Sequence, residues 1–125
     1  MDKKVKYQWV DKYCLALTGV IKDFKSEWNA TRYLVGGKMF AMCCGDKDGK
    51  PIITVKLDPG FGTLLRQKYK YIVPGYYMNK DHCNSLYLEG DVPDDVLKTM
   101  IQESYQLILN SLSKKIQKEI MEERK

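Results

Sequence analysis

The sequence predicts a single two-layer α+β domain in the order α-β-β-β-α-β-β-α, with helices packed on one antiparallel sheet. Three observations carry this: amphipathic spacing near both ends of the chain, β-prone runs joined by glycine-containing turns, and a proline-initiated helix between two groups of strands. The 125 residues suit one domain, and 44% hydrophobic content suffices for one core.

Each element follows from local chemistry. Residues 4–17 set Val5, Trp9, Tyr13 or Cys14, and Leu17 three or four apart with Lys and Asp between them, which predicts an amphipathic helix. Thr18-Gly19 ends it, because glycine takes the left-handed C-terminal position without steric cost. Residues 20–30 have mixed polarity, with Phe24 and Trp28 isolated, and read as a loop or a broken turn of helix. Arg32–Val35 and Lys38–Cys43 flank Gly36-Gly37, a tight-hairpin signature. A second turn within Gly45–Lys50 returns the chain through Pro51–Leu57, completing a three-stranded meander.

Asp58-Pro59 then starts a helix reaching Tyr69, with aspartate at the N-cap and proline in the first turn. Leu64 and Leu65 are its expected buried side, with Arg66, Lys68 and Lys70 outward. Tyr76–Met78 and Ser85–Glu89 read as a hairpin with His82 near its tip. Gly90–Asp95 opens the last helix, whose core stripe is Val96, Met100, Leu107, Ile108 and Leu112. Ile116, Ile120 and Met121 extend that face into a charged tail from about residue 114, whose end is expected to fray.

Composition narrows the functional classes. No apolar run approaches the roughly 20 residues of a membrane span, and the basic N-terminus lacks the apolar stretch of a signal peptide, so a cytoplasmic protein with no membrane partner is expected. Cys14, Cys43, Cys44 and Cys83 fit that compartment as free thiols. Adjacent Cys43 and Cys44 point to opposite strand faces, and no Cys-x-x-Cys pair exists, so core filling outweighs zinc binding. Asp46 and Asp48 resemble a calcium loop, but its twelfth position is Leu57; Gly60 and Gly62 are not followed by the Gly-Lys-Ser/Thr ending of a phosphate loop. No metal and no cofactor is expected. The net charge of +5 is uneven: residues 1–70 carry 14 Lys or Arg against 7 Asp or Glu, and residues 71–112 carry 2 against 6. Such asymmetry suits either an anion-binding face or a solvated lysine surface.

The densest polar run is Pro74-Gly75-Tyr76-Tyr77-Met78-Asn79-Lys80-Asp81-His82-Cys83-Asn84, which holds the only histidine. Together with Gly36–Ala41, Val55–Pro59 and Pro93-Asp94-Asp95, in that order along residues 10–115, it resembles the MmcQ/YjbR family of small bacterial proteins. The resemblance implies the same α-β-β-β-α-β-β-α domain and a likeness to the double-wing DNA-binding fold. It also implies a candidate site at Tyr76, Met78, Asn79, Lys80, His82 and Asn84. The sequence departs from the family pattern at Tyr77, where histidine is usual, and at Cys83, where tryptophan is usual, which puts any histidine-dependent or stacking role in doubt.

Three functional readings follow. The first is a non-enzymatic module for double-stranded DNA: Lys38, Lys56, Arg66 and Lys68 contact phosphate while Asn79, Lys80, His82 and Asn84 approach base edges or backbone. The second is a module for a protein or a small anionic ligand, using the Tyr76–Asn84 run with Tyr77 and Trp28 as amphipathic contact surface. The third is an enzyme with His82 as general base or Cys83 as nucleophile; adjacent residues of an extended turn point apart, which disfavours it. For Asn79 and Asn84 the plain structural role is turn formation. A monomer is expected, or a weak dimer through the Leu112, Ile116 and Ile120 stripe.

Overall fold

Alternation along the strands divides the apolar side chains into two sets, and that division determines the architecture. Tyr33, Val35, Ala41, Cys43, Ile53, Val55 and Leu86 point one way and form the main core with Val10, Cys14, Leu65, Leu97, Met100, Ile101, Tyr105, Ile108, Leu109 and Ile120 from the helices. Ala30, Met42, Cys44 and Ile52 point the other way and form a smaller cluster with Met39 and Tyr87. The computed structural model describes residues 2–45, 48–75, 82–90 and 92–123. Within it, helices α1 (Asp2–Leu15), α2 (Pro59–Lys68), α3 (Asp94–Ser111) and α4 (Lys114–Glu123) all contribute to the core on one face of the sheet.

The sheet contains β1 (Val20–Lys25), β2 (Ala30–Val35), β3 (Lys38–Gly45), β4 (Pro51–Lys56), β5 (Ile72–Pro74) and β6 (Cys83–Tyr87) in the order β1-β2-β3-β4-β6-β5. Every neighbouring pair is antiparallel. The α+β class with one antiparallel sheet and packed helices therefore holds.

Four local features differ from the sequence reading. Residues 20–25 are a strand, not a loop: β1 pairs with β2 from Val20 opposite Val35 to Lys25 opposite Ala30. As an edge strand it buries little and carries Lys22, Asp23 and Lys25, which erases the alternation that marks a strand and blocks further edge pairing. A 3-10 turn at Ser26–Trp28 leads into β2. On α2, Leu64 is 60% exposed; Gly62 and Leu65 are the buried positions. On α3, Leu107 faces outward, and Leu97, Ile101, Tyr105 and Leu109 join Met100 and Ile108 inside. The last helix also stops at Leu112, which is extended (φ −81°, ψ 159°), and restarts as α4 with the Ser113 hydroxyl accepting the Ile116 N–H at 3.2 Å. Ile120 of α4 is buried against Gly19, where a Cβ would lie 2.6 Å from its Cγ2, so this segment belongs to the core.

In the late hairpin, β5 lies at Ile72–Pro74 and β6 begins at Cys83; the expected strand at Tyr76–Met78 is outside the described residues.

Polar groups lock α3 onto the sheet. The register of β2 against β3 slips between Tyr33 and Leu34, so Phe40 is the extra residue of a bulge, and its carbonyl is met from α3. The fully buried Ser104 hydroxyl donates to that carbonyl at 2.5 Å and accepts the Lys56 N–H at 2.9 Å. Phe40 and Tyr105 pack edge to face beside it, with ring centroids 5.4 Å apart. Ser104→Ala leaves a buried carbonyl and a backbone N–H without this partner. The expected loss is about 1–3 kcal/mol of unfolding free energy in urea denaturation, with the m-value unchanged.

Candidate functional site

Of the residues singled out by the sequence, Lys56, Arg66, His82 and Asn84 fall near where β4 ends, α2 lies and β6 starts. Asp58 accepts the N–H groups of Gly60 and Phe61 at 3.1 and 3.4 Å and so caps α2. Its charge is thereby spent on orphan helix donors. One turn along, Gly62 lies directly over Asn84: a Cβ there would stand 2.8 Å from the amide nitrogen and 3.0 Å from the amide oxygen. Glycine is needed at this position for close approach.

Asn84 has 0% exposure and satisfies both ends of its amide. Its Nδ2 donates to the His82 carbonyl at 3.2 Å, and its Oδ1 accepts from Nη1 of Arg66. The His82 carbonyl also accepts the Leu57 N–H at 2.7 Å, and the Cys83 carbonyl accepts the Gly75 N–H at 2.7 Å. A Cβ at Gly75 would be 2.6 Å from that of Cys83, so this second glycine lets the chain after β5 press on β6. The Arg66 guanidinium, half-buried, is additionally held by the Thr63 hydroxyl at 3.3 Å from Nη2. Two contacts from fixed groups leave the remaining guanidinium donors of its five without a partner among the described residues and in a set orientation.

The candidate residues are thus distributed unevenly. Asn84 is an internal anchor and cannot approach a base edge. His82 is exposed immediately before β6. Arg66, expected to meet phosphate, is joined to Asn84. Lys68, the last residue of α2, lies 5.6 Å from the centre of the ring of Tyr69, which follows it. Lys56 is exposed and opposite Cys83 in register, on the sheet face away from the helices. Lys38 is exposed at the same end of the sheet, but its register with Val35 puts it toward the helix side. Lys38 and Lys56 therefore do not share one surface. Tyr76, Tyr77, Met78, Asn79 and Lys80 lie outside the described residues.

The four cysteines are buried and none is joined in a disulfide. Burial pushes the Cys14 thiol up to about 12 and raises Cys43 and Cys83 as well, with Lys56 partly opposing the rise at Cys83. At neutral pH such groups are poor nucleophiles.

Sequence reasoning missed the union of Arg66 with Asn84. A signal was present in Gly62, since a glycine inside a helix marks a close approach, but the partner 22 positions later was not legible.

Comparison with known proteins gives the chain a lineage. The family model described as YjbR matches residues 15–107, most of the chain. The chain belongs to the YjbR family. It is similar to the Escherichia coli K12 protein named "Uncharacterized protein YjbR", at 32% identity over 101 residues covering 81% of this chain and 85% of that one. It is also similar to "Uncharacterized protein YbdF" of Escherichia coli O157:H7, at 33% identity over 122 residues covering 96% and 98%. The crystal structure of Deinococcus radiodurans protein DR2400, described with a DUF419 domain, superposes with a TM-score of 0.82 at 28% identity, over 91% of this chain and 86% of that one. A Pseudomonas syringae protein shares the fold, with a TM-score of 0.72 at 21% identity over 81% and 97%.

In this YjbR-family chain, Gly62→Ala forces the Asn84 amide or α2 to move. The expected loss is about 1–3 kcal/mol in urea denaturation, together with displaced side-chain amide resonances of Asn84. Unchanged stability and resonances would show that α2 is not seated on that amide.

Proposed function

We propose that this protein binds DNA through α2 and the adjoining end of the sheet. The observation that carries the reading is the Arg66 guanidinium, fixed by a buried amide and a hydroxyl on a helix that contains no acidic side chain. Residues 59–70 hold Arg66, Lys68 and Lys70 and no acidic side chain, and Asp58 before them caps the helix. A preset guanidinium with donors unengaged among the described residues suits a phosphate oxygen, and the flexible lysines that follow it, Lys68 and Lys70, add attraction without demanding one geometry. The exposed imidazole of His82 borders the same corner. The net charge of +5 favours a polyanion over a neutral partner.

On this reading Asn84 acts through Arg66, while base-edge contacts fall to the residues that precede His82. Lys56 contributes at most to a flank, because it projects from the sheet face away from the helices, whereas Arg66 stands on the helix side.

Fluorescence anisotropy against a labelled duplex at several salt concentrations tests the reading. The expected outcome is saturable binding that weakens with salt, with Arg66→Ala lowering the slope of log K against log salt by about one. Absence of saturable binding at low salt, or an Arg66→Ala variant indistinguishable from the parent, overturns it.

A further inference from the structure

A second polar concavity lies toward the opposite end of the strands. An open groove of about 800 Å³ is bounded by α1, β1 and the region where β3 gives way to β4, and Asp11, Lys12, Lys22, Thr31, Tyr33 and Cys43 are among the residues lining it. That size is in the range of small-molecule sites.

Its hydrogen bonding is one-sided. The Tyr33 hydroxyl donates to Oδ1 of Asp11 at 2.8 Å, and Nζ of Lys22 approaches the same oxygen at 2.8 Å. Oδ2 therefore has no partner among the described residues, and two of the three Lys22 donors remain. The bond from Lys22 holds the Asp11 carboxyl below its usual range, with Tyr33 adding to the effect, so Asp11 is anionic at neutral pH. An open carboxylate oxygen beside an ammonium with spare donors is the complement of a molecule bearing its own ammonium beside its own carboxylate. Lys12 lines the same groove and has no ion-pair partner among the described residues, so one positive charge is left over after that exchange. The Thr31 hydroxyl adds a neutral donor and acceptor, and the Tyr33 ring and the Cys43 side chain give an apolar floor.

We infer that this groove binds a free α-amino acid with an acidic side chain. The ligand's ammonium meets Oδ2 of Asp11, its α-carboxylate meets Lys22, and its second carboxylate meets Lys12. This site is separate from the Arg66 corner and stands whether or not the protein binds DNA.

The test is an amide NMR titration of the intact protein with L-glutamate and L-aspartate, with L-glutamine, L-lysine, acetate and methylammonium as comparison probes. Saturable shifts at Thr31, Tyr33, Cys43 and Gly45 with an acidic amino acid are expected, weaker with L-glutamine and L-lysine and absent with acetate or methylammonium. Lys22→Met and Asp11→Asn, each checked for a folded spectrum, are expected to weaken binding by about tenfold or more. Thr31→Val is a milder variant that leaves the ion pair intact and is expected to weaken it less. The inference is overturned by no saturable shift at millimolar acidic amino acid, by equal response to acetate, by tighter binding of L-lysine, or by shifts confined to Gly62–Arg66.

Discussion

The amide of Asn84 is the constraint on which the organised end of this molecule depends. A buried amide must satisfy both its carbonyl and its NH2, since each unmatched group costs on the order of 1–3 kcal/mol. Here the two requirements are met by different parts of the chain: the His82 carbonyl at the start of β6 and the Arg66 guanidinium on α2. One side chain thus fixes a helix to a strand and sets the direction of a cation. The glycine at position 62 follows from the same constraint, because only a residue without Cβ allows the helix to come so near. Asp58 acts at the adjoining helix end, where it neutralises no cation of the helix but closes its first turn.

Much of this framework was legible in the sequence. The Gly36-Gly37 hairpin, the meander through Leu57, the Asp58-Pro59 start of α2 and the opening of α3 near Pro93 all rest on local chemistry that needs no tertiary partner. The features that escaped lack such signals. β1 mixes apolar and charged residues on both faces and is largely exposed at the sheet edge, so its identity comes from pairing with β2. Leu64 and Leu107 are apolar yet outward, so a stripe drawn by residue type alone places them inside. The break between α3 and α4 hangs on Ser113, one capping hydroxyl within a continuous amphipathic pattern.

At the site, the run ending at His82-Cys83-Asn84 stood out from its composition, whereas the division of labour within it did not. Density of polar groups marks both exposed binding residues and internal anchors. Burial alone separates them, and burial is a property of the fold. Asn84 carries a structural amide, His82 an exposed ring, and Arg66, distant in sequence, completes the group. Departure from the family pattern at Cys83 is accommodated sterically: the small side chain lies against Gly75 in a buried position.

The central claim is that Asn84 holds Arg66 in place. A double-mutant cycle with Asn84→Ala, Arg66→Ala and the combined variant, followed by urea denaturation, tests it most directly. A coupling energy of about 1–2 kcal/mol is expected, reduced little by salt because Asn84 is buried. Additive effects within about 0.3 kcal/mol would contradict it and leave Arg66 an ordinary surface cation.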